Sequence, residues 1–391
     1  MTLVRDLTYA PILRAPNKEQ RTHSVFPVRL FVRHYYRMAQ LRQAITPALT
    51  FHYYFVHRVI WYYYITMKPT FLHSLVNGPY EDPSLFVRVL REKRAFLFDI
   101  GNISKLAPGD LQKVTDVFVT HTHIDHFIGF DTLVRALLRR ETPLKIYGPS
   151  NITDCVEGKL KGYAWNLIRE YPLKIEVFCV DKDRLISSSF YAENSFRREE
   201  NGAADFEGAL LQESLFTVKA LVLEHQIPCL AFSLEEEFHI NIDKALLNAR
   251  ELPVGPWLSG LKRAIRERMP EDTEFEVSDK RYALKELRDI AIITKGQKIS
   301  YVTDVSLSDE NIAKIIGFVA NSDTLYCEAY FLEKDVDRAL ERFHLTAKTS
   351  GRIAREAGVQ HLTTMHFSPR YRDQSEGPED EAMREFRHPS S

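Results

Sequence analysis

From Leu85 onward the chain alternates short apolar runs with polar turns, the pattern of strands that bury at least one face. Leu85-Phe86-Val87-Arg88-Val89-Leu90 and Ala95-Phe96-Leu97-Phe98-Asp99-Ile100 predict two paired strands around the charged turn Arg91 to Arg94. Val114-Thr115-Asp116-Val117-Phe118-Val119 predicts a buried strand, and the chain after Gly129 leads into a helix through Leu133, Leu137 and Leu138. Leu144 to Pro149 is a strand with a Gly-Pro stop, followed by a helix from Ile152 to about Arg169 and a strand from Leu173 to Val180. Residues 187–214 are polar and without period, which predicts a long loop. Beyond it, strands are predicted at Leu215–Leu223, Cys229–Leu234, Lys298–Thr303, Thr324–Cys327 and His361–Met365, with a basic helix at Arg263–Arg268. From about Asp373 the chain is charged and predicted to fray, with one short helix near Ala382–Phe386.

The first 66 residues break this pattern. They carry nine lysines and arginines against two acids, among many aromatics such as Tyr35, Tyr36, Tyr53, Tyr54 and Trp61. That excess of +7, set against −1 for all 391 residues, leaves −8 on the remainder, so no global basic field advertises nucleic-acid binding there. An arginine-rich, acid-poor start is compatible with a transit peptide or a basic arm. Ile45 to Met67 is apolar, but His52, His57 and Arg58 interrupt it at a cost a bilayer centre penalises, so no membrane span is expected. Met67-Lys68-Pro69-Thr70-Phe71 opens the folded part. The expected division is an extension at 1–66, a catalytic domain at 67–372 and a tail at 373–391. Cys155, Cys179, Cys229 and Cys327 form no close pair and read as buried apolar residues of a reducing, cytoplasmic compartment.

Chemistry concentrates where the predicted strands end. Thr120-His121-Thr122-His123-Ile124-Asp125-His126 packs three imidazoles and a carboxylate behind the strand at Val114–Val119, a donor set that suits Zn2+. His-x-His-x-Asp-His resembles the signature of the metallo-β-lactamase superfamily, which implies an α/β fold, the αββα sandwich of two mixed sheets flanked by helices, with a binuclear site on one edge. It also requires further ligands downstream, each just after a strand. His225, Asp304 and His366 stand at those places, and Asp99-Ile100-Gly101 matches the superfamily's Asp-x-Gly. By this resemblance His121, His123 and His225 hold one zinc, Asp125, His126 and His366 hold a second, and Asp304 bridges the two. Asp125 would also orient the water that attacks. Flavo-diiron relatives tend to carry Glu where His123 stands, so His123 points to hydrolysis.

The last third narrows the resemblance. Cys327-Glu328-Ala329-Tyr330-Phe331, His344-Leu345-Thr346-Ala347 and His366-Phe367-Ser368-Pro369-Arg370-Tyr371 follow one another in an order similar to that of ribonuclease Z, the tRNA 3′-processing endonuclease. Gly255-Pro256 with Leu261-Lys262 resembles that family's Gly-Pro-x-x-x-x-Leu-Lys stretch. The resemblance implies that His344, held by Glu328, protonates the leaving 3′ oxygen, and that Arg370 and Ser368 bind phosphate. The alternative for Glu328 and Arg370 is a structural ion pair beneath the site. It further implies two Zn2+ per chain, an RNA substrate and a homodimer.

Three departures keep the substrate open. Phe71-Leu72-His73-Ser74 replaces a glycine-bearing segment, and Asn102-Ile103-Ser104 replaces the residues that normally follow Asp-x-Gly. The Gly- and Lys-rich arm that clamps tRNA, expected between the first metal motif and His225, is not recognisable; Arg197-Arg198-Glu199-Glu200 is a poor phosphate clamp. A local basic patch could come from Lys262, Arg263, Arg266 and Arg268. A hydrolase of a small phosphodiester, sulfate ester or lactone is the alternative. The intact ligand set argues against a scaffold with a vestigial site.

Overall fold

The computed structural model describes residues 69–90 and 92–388, and the expectation for residues 1–66 lies outside them. An eight-stranded sheet follows sequence order: β1 (Phe71–Leu75), β2 (Leu85–Val89), β3 (Arg94–Phe98), β4 (Val114–Phe118), β5 (Leu144–Pro149), β6 (Lys174–Asp181), β7 (Arg184–Tyr191) and β8 (Arg198–Asp205). Its centre, β3 to β6, is parallel. A six-stranded sheet faces it, built from β9 (Ala209–Gln212), β10 (Phe216–His225), β11 (Ile227–Glu236), β16 (Lys298–Val302), β17 (Thr324–Glu328) and β18 (His361–Met365), ordered β18-β17-β16-β11-β10-β9.

Period-two alternation sorts side chains into layers. In β3, Phe96 and Phe98 point between the sheets, where Phe118, Phe216, Phe232 and Tyr301 meet them, while Ala95 and Leu97 point outward. The outward face is covered by helices that follow the short α1 (Pro108–Leu111) and α2 (Ile124–Phe127). These are α3 (Phe130–Leu137), through Leu133, Val134 and Leu137, and α4 (Ile152–Lys161), through Ile152, Val156 and Leu160. Two helices and the strands between them therefore present the 3–4 and 2 periods read from the sequence.

Between β11 and β16 the chain makes an excursion that the apolar pattern did not announce. It holds β12 (Phe238–Ile242), α5 (Lys244–Ala249), α6 (Trp257–Arg266), the hairpin β13 (Glu274–Val277) and β14 (Lys280–Ala283), α7 (Leu284–Leu287) and β15 (Ala291–Lys295). Ile240, Leu247, Leu261, Ile265, Leu284, Leu287 and Ile290 give it a small core of its own. Its stem is clasped by the buried Glu236, which accepts from Thr70 Oγ1 (2.5 Å), His239 Nδ1 (3.0 Å) and the Gln297 amide (3.1 Å).

The outer face of the second sheet carries α8 (Asp309–Phe318), α10 (Ala347–Glu356) and α11 (Pro378–Arg387), with α9 (Val336–Arg342) leading into α10. The layers thus stack helix, sheet, sheet, helix, an αββα sandwich.

Three local expectations are corrected. The helix expected to reach Arg169 stops at Lys161, because the Trp165 indole donates to Leu160 O (2.7 Å), a carbonyl that a further turn would use. Residues 187–214 are not a loop but contain most of β7 and all of β8 and β9. Most of β8 faces solvent on both sides, so no apolar alternation marks it. The C-terminal helix is longer than Ala382–Phe386 and docks on α10, where Gly351 lies so close that a Cβ would come within 2.3 Å of Ala382 O.

Candidate metal centre

Both sheets end their parallel strands at one edge. β4 runs out into His121 and His123, α2 presents Asp125 and His126, β10 ends on His225, β16 delivers Asp304, and β18 delivers His366. The seven residues are brought together in groups whose ligating atoms lie within 4.8 Å of one another: His121, His123 and His225; Asp125, His126 and His366; and His121, His126 and Asp304, which joins them. Asp304 Oδ2 is 2.9 Å from His126 Nε2 and 3.2 Å from His366 Nδ1, and its Oδ1 is 3.7 Å from His225 Nε2. Asp125 Oδ2 is 3.3 Å from His366 Nε2.

Backbone strain and close packing set this geometry. Asp99, Asp304 and His366 have φ of 55°, 54° and 57°, the left-handed region that L residues avoid at roughly 1–3 kcal/mol each. Each reverses the chain at a strand end, so its side chain turns back into the cluster. Gly129 sits against the turn after β3, where a Cβ would come 2.3 Å from Gly101 O. The Gly129 amide donates to Ile100 O (2.8 Å) and the Ile100 amide to His126 O (2.9 Å), which fixes the histidine loop on that turn.

A second layer of contacts aims the imidazoles. Asp99 accepts from the Thr120 amide (2.7 Å) and Thr120 Oγ1, from Tyr301 Oη (3.1 Å) and from His126 Nδ1 (2.9 Å), leaving His126 Nε2 to face the cluster. His225 Nδ1 donates to Phe343 O (2.7 Å) and so presents Nε2. Thr303 Oγ1 donates to Asp304 (2.8 Å). Asp99 was legible only as part of a turn motif, while Tyr301 and Phe343 carried no signal at all, since their partners lie 202 and 118 residues away.

Charge in the cluster is unevenly disposed. Burial, reinforced by His126, pushes the pKa of His121 down to about 2, and burial lowers that of His225, so both stay neutral. Burial also opposes protonation of His126, yet Asp304 and Asp99 outweigh it and raise that pKa to about 10. His366 is raised in the same way, against burial, by Asp304 and Asp125. Buried carboxylates here demand positive charge. A divalent cation answers that demand, and neutral imidazole with carboxylate is the donor set it takes. His126 Nε2 is consistent with this: it is fully buried and faces Asp304 Oδ2 at 2.9 Å within the cluster. The residues fit a metal.

Beside the cluster, Glu328 and His344 meet as expected, at 2.8 Å between Oε2 and Nδ1, because the chain turns back between β17 and α10. Glu328 Oε1 also accepts from the Val305 (2.9 Å) and Leu345 (3.2 Å) amides. Arg370 lies elsewhere. It faces Asp335 at 3.4 Å and the Phe331 ring at 5.7 Å, so it forms no pair with Glu328 among the described contacts. Ser368 is buried, its amide donating to Tyr330 O (3.0 Å).

A ribonuclease Z from Deinococcus radiodurans is 28% identical over 307 residues, which cover 77% of this chain and 91% of that protein. The chain resembles ribonuclease Z. A ribonuclease Z from Nanoarchaeum equitans is 27% identical, covering 74% of this chain and 78% of that one. A ribonuclease BN from Proteus mirabilis is also 27% identical, with 78% and 90% covered. Among solved structures, the metallo-beta-lactamase fold protein YhfI from Bacillus subtilis aligns with a TM-score of 0.47 at 16% identity, over 82% of this chain and 92% of that one. Human tRNase Z, short form, aligns with a TM-score of 0.43 at 20% identity, over 78% and 93%. No family model matches the chain. Among the described residues, no helix is long and apolar enough to cross a membrane.

Proposed function

We propose that this chain is a binuclear zinc-dependent phosphodiesterase that hydrolyses RNA, with precursor tRNA 3′ ends as the substrate class. The observation that carries this is the pair of ligand groups linked through the His121, His126 and Asp304 cluster, with His344 held beside them by Glu328. His121, His123 and His225 would hold one cation and Asp125, His126 and His366 the other, with Asp304 placed between the two groups. When bound, the two cations supply Lewis acidity and a nucleophile available at neutral pH. Asp125, on its own helical turn and partly exposed, orients the water that attacks phosphorus. As the bond from phosphorus to the 3′ oxygen breaks, His344 delivers the proton from Nε2, since Nδ1 is committed to Glu328. The resemblance further supports a cytoplasmic homodimer.

A second reading, hydrolysis of a small phosphodiester, is favoured by the state of the basic side chains. Arg198 is taken up by Asp154 (2.8 Å) and Glu200 (2.6 Å). On α6, Lys262 donates to Ile240 O and Arg266 lies 3.6 Å from Glu236, so of these four basic residues Arg263 and Arg268 are the exposed ones. Parallel assays on precursor tRNA and bis(p-nitrophenyl) phosphate, with elemental analysis of the same protein, separate the readings. About two zinc ions per chain and cleavage of the tRNA precursor are expected. Cleavage of the small ester alone selects the second reading, and bound iron with redox activity overturns both. Asp125→Ala should abolish turnover on every substrate while circular dichroism stays unchanged.

A further inference from the structure

We infer that Tyr330 is a positioning residue for His344, acting through the flat face of its ring and not through its hydroxyl. This rests on the phosphodiesterase reading above. The Tyr330 and His344 rings lie 4.0 Å apart between centroids and 9° from parallel, a closer and flatter stack than most aromatic pairs make.

The need for such a stack follows from how His344 is otherwise held. Its Nδ1–H donates to Glu328, and one hydrogen bond leaves an imidazole free to swing about that direction, because its terminal torsion is broad. The residue before it, Phe343, has a φ of 61°, so the backbone arrives through a strained turn after α9. Phe331 touches only an edge, at 6.2 Å and 61°. Tyr330 alone supplies a parallel surface among the ring contacts of His344. With one face covered and Nδ1 engaged, the imidazole presents Nε2 along a single direction.

Tyr330 is itself well fixed. The Ser368 amide donates to its carbonyl at 3.0 Å, which ties it to the segment after His366. Its ring meets His366 edge-on at 5.1 Å and Phe331 at 4.9 Å. Its hydroxyl makes no hydrogen bond among the described residues. The ring is therefore the part with a defined task.

Proton delivery is sensitive to aim, since misplacement by about 1 Å can cost on the order of 10²-fold. Loss of the stack should be felt where the leaving oxygen needs a proton and not where it does not. The test compares matched phenyl and p-nitrophenyl phosphodiesters for wild type, Tyr330→Phe, Tyr330→Leu and Tyr330→Met, the last filling space without a flat face. Tyr330→Leu and Tyr330→Met should lower kcat on the phenyl ester by roughly tenfold or more, within the 10²–10⁴ available to a general acid. They should leave the p-nitrophenyl ester within about twofold and bound zinc unchanged, while Tyr330→Phe behaves as wild type on both. In a His344→Ala background, Tyr330→Leu should add nothing. The upfield ring-current shift of the His344 imidazole protons should persist in Tyr330→Phe and vanish in Tyr330→Leu. Parallel losses on both esters, Tyr330→Phe as impaired as Tyr330→Leu, or additive losses with His344→Ala overturn this inference alone. A wild type inert on both esters and on RNA overturns the phosphodiesterase reading, and this inference with it.

Discussion

At the scale of single residues, the centre separates side chains that would hold cations from those that aim them. Asp99 belongs to the second kind, being fully buried and hydrogen-bonded to His126 Nδ1. Asp99→Asn should keep the fold but weaken metal binding by roughly 10–100-fold, the usual cost of losing a partner behind a ligand. Chelator competition measures this, and unchanged affinity would remove Asp99 from the site. His344 makes a different prediction. His344→Ala should cost roughly 10²–10⁴-fold on RNA and far less on bis(p-nitrophenyl) phosphate, whose leaving group needs little protonation. Equal losses together with missing zinc would make it a ligand or a structural residue. The sequence exposed the residues whose type is itself informative, histidines and aspartates just after apolar runs. It could not expose Tyr301 or Tyr330, because an aromatic residue on a buried strand or beside one looks the same whether it fills space or aims a neighbour.

At the scale of elements, legibility followed burial. β3, β4, β10 and β16 were readable because one or both faces are apolar and their ends are abrupt. β8 carries no apolar signal because it is an edge strand in water, and α6 starts ahead of its basic residues, at Trp257, where its apolar stripe begins. The excursion from β12 to β15 packs against its own small core, so no long-range pattern ties it to the sandwich. What ties it is Glu236. Burial alone would raise this carboxyl, but hydrogen bonds from His239, Thr70 and the Gln297 amide outweigh that and leave its pKa lowered. A carboxyl depressed by folding stabilises above the ordinary carboxylate pKa, about 4.3, and that contribution is lost as pH falls through the lower folded value. Glu236→Gln should therefore be destabilised by about 1–3 kcal/mol at pH 7, with the deficit shrinking below about pH 4. Urea unfolding of both proteins across that range tests it; a deficit that does not depend on pH would mean the carboxylate charge contributes nothing.

At the scale of the whole molecule, the four apolar clusters of the described residues draw on positions from Phe71 to Phe386. We propose that residues 1–66 are not needed for the chemistry. A chain beginning at Met67 should hydrolyse a small phosphodiester at an undiminished rate. Insolubility would show that the extension packs on the core, and selective loss of RNA cleavage would show that its basic residues bind phosphate. The layer architecture was legible through a resemblance, and the clustering of His and Asp residues through strand ends; the substrate was not, because net charge says nothing of where basic side chains are already engaged. The clustered residues, divided between the sheets, also leave the ribosome at different times. About 240 residues separate His126 from His366, so at roughly 5–20 residues per second the ribosome releases His121, His123, Asp125 and His126 on the order of 10–50 s before His366. Until His225 and His366 follow, the four early residues would offer a divalent cation only part of either donor group.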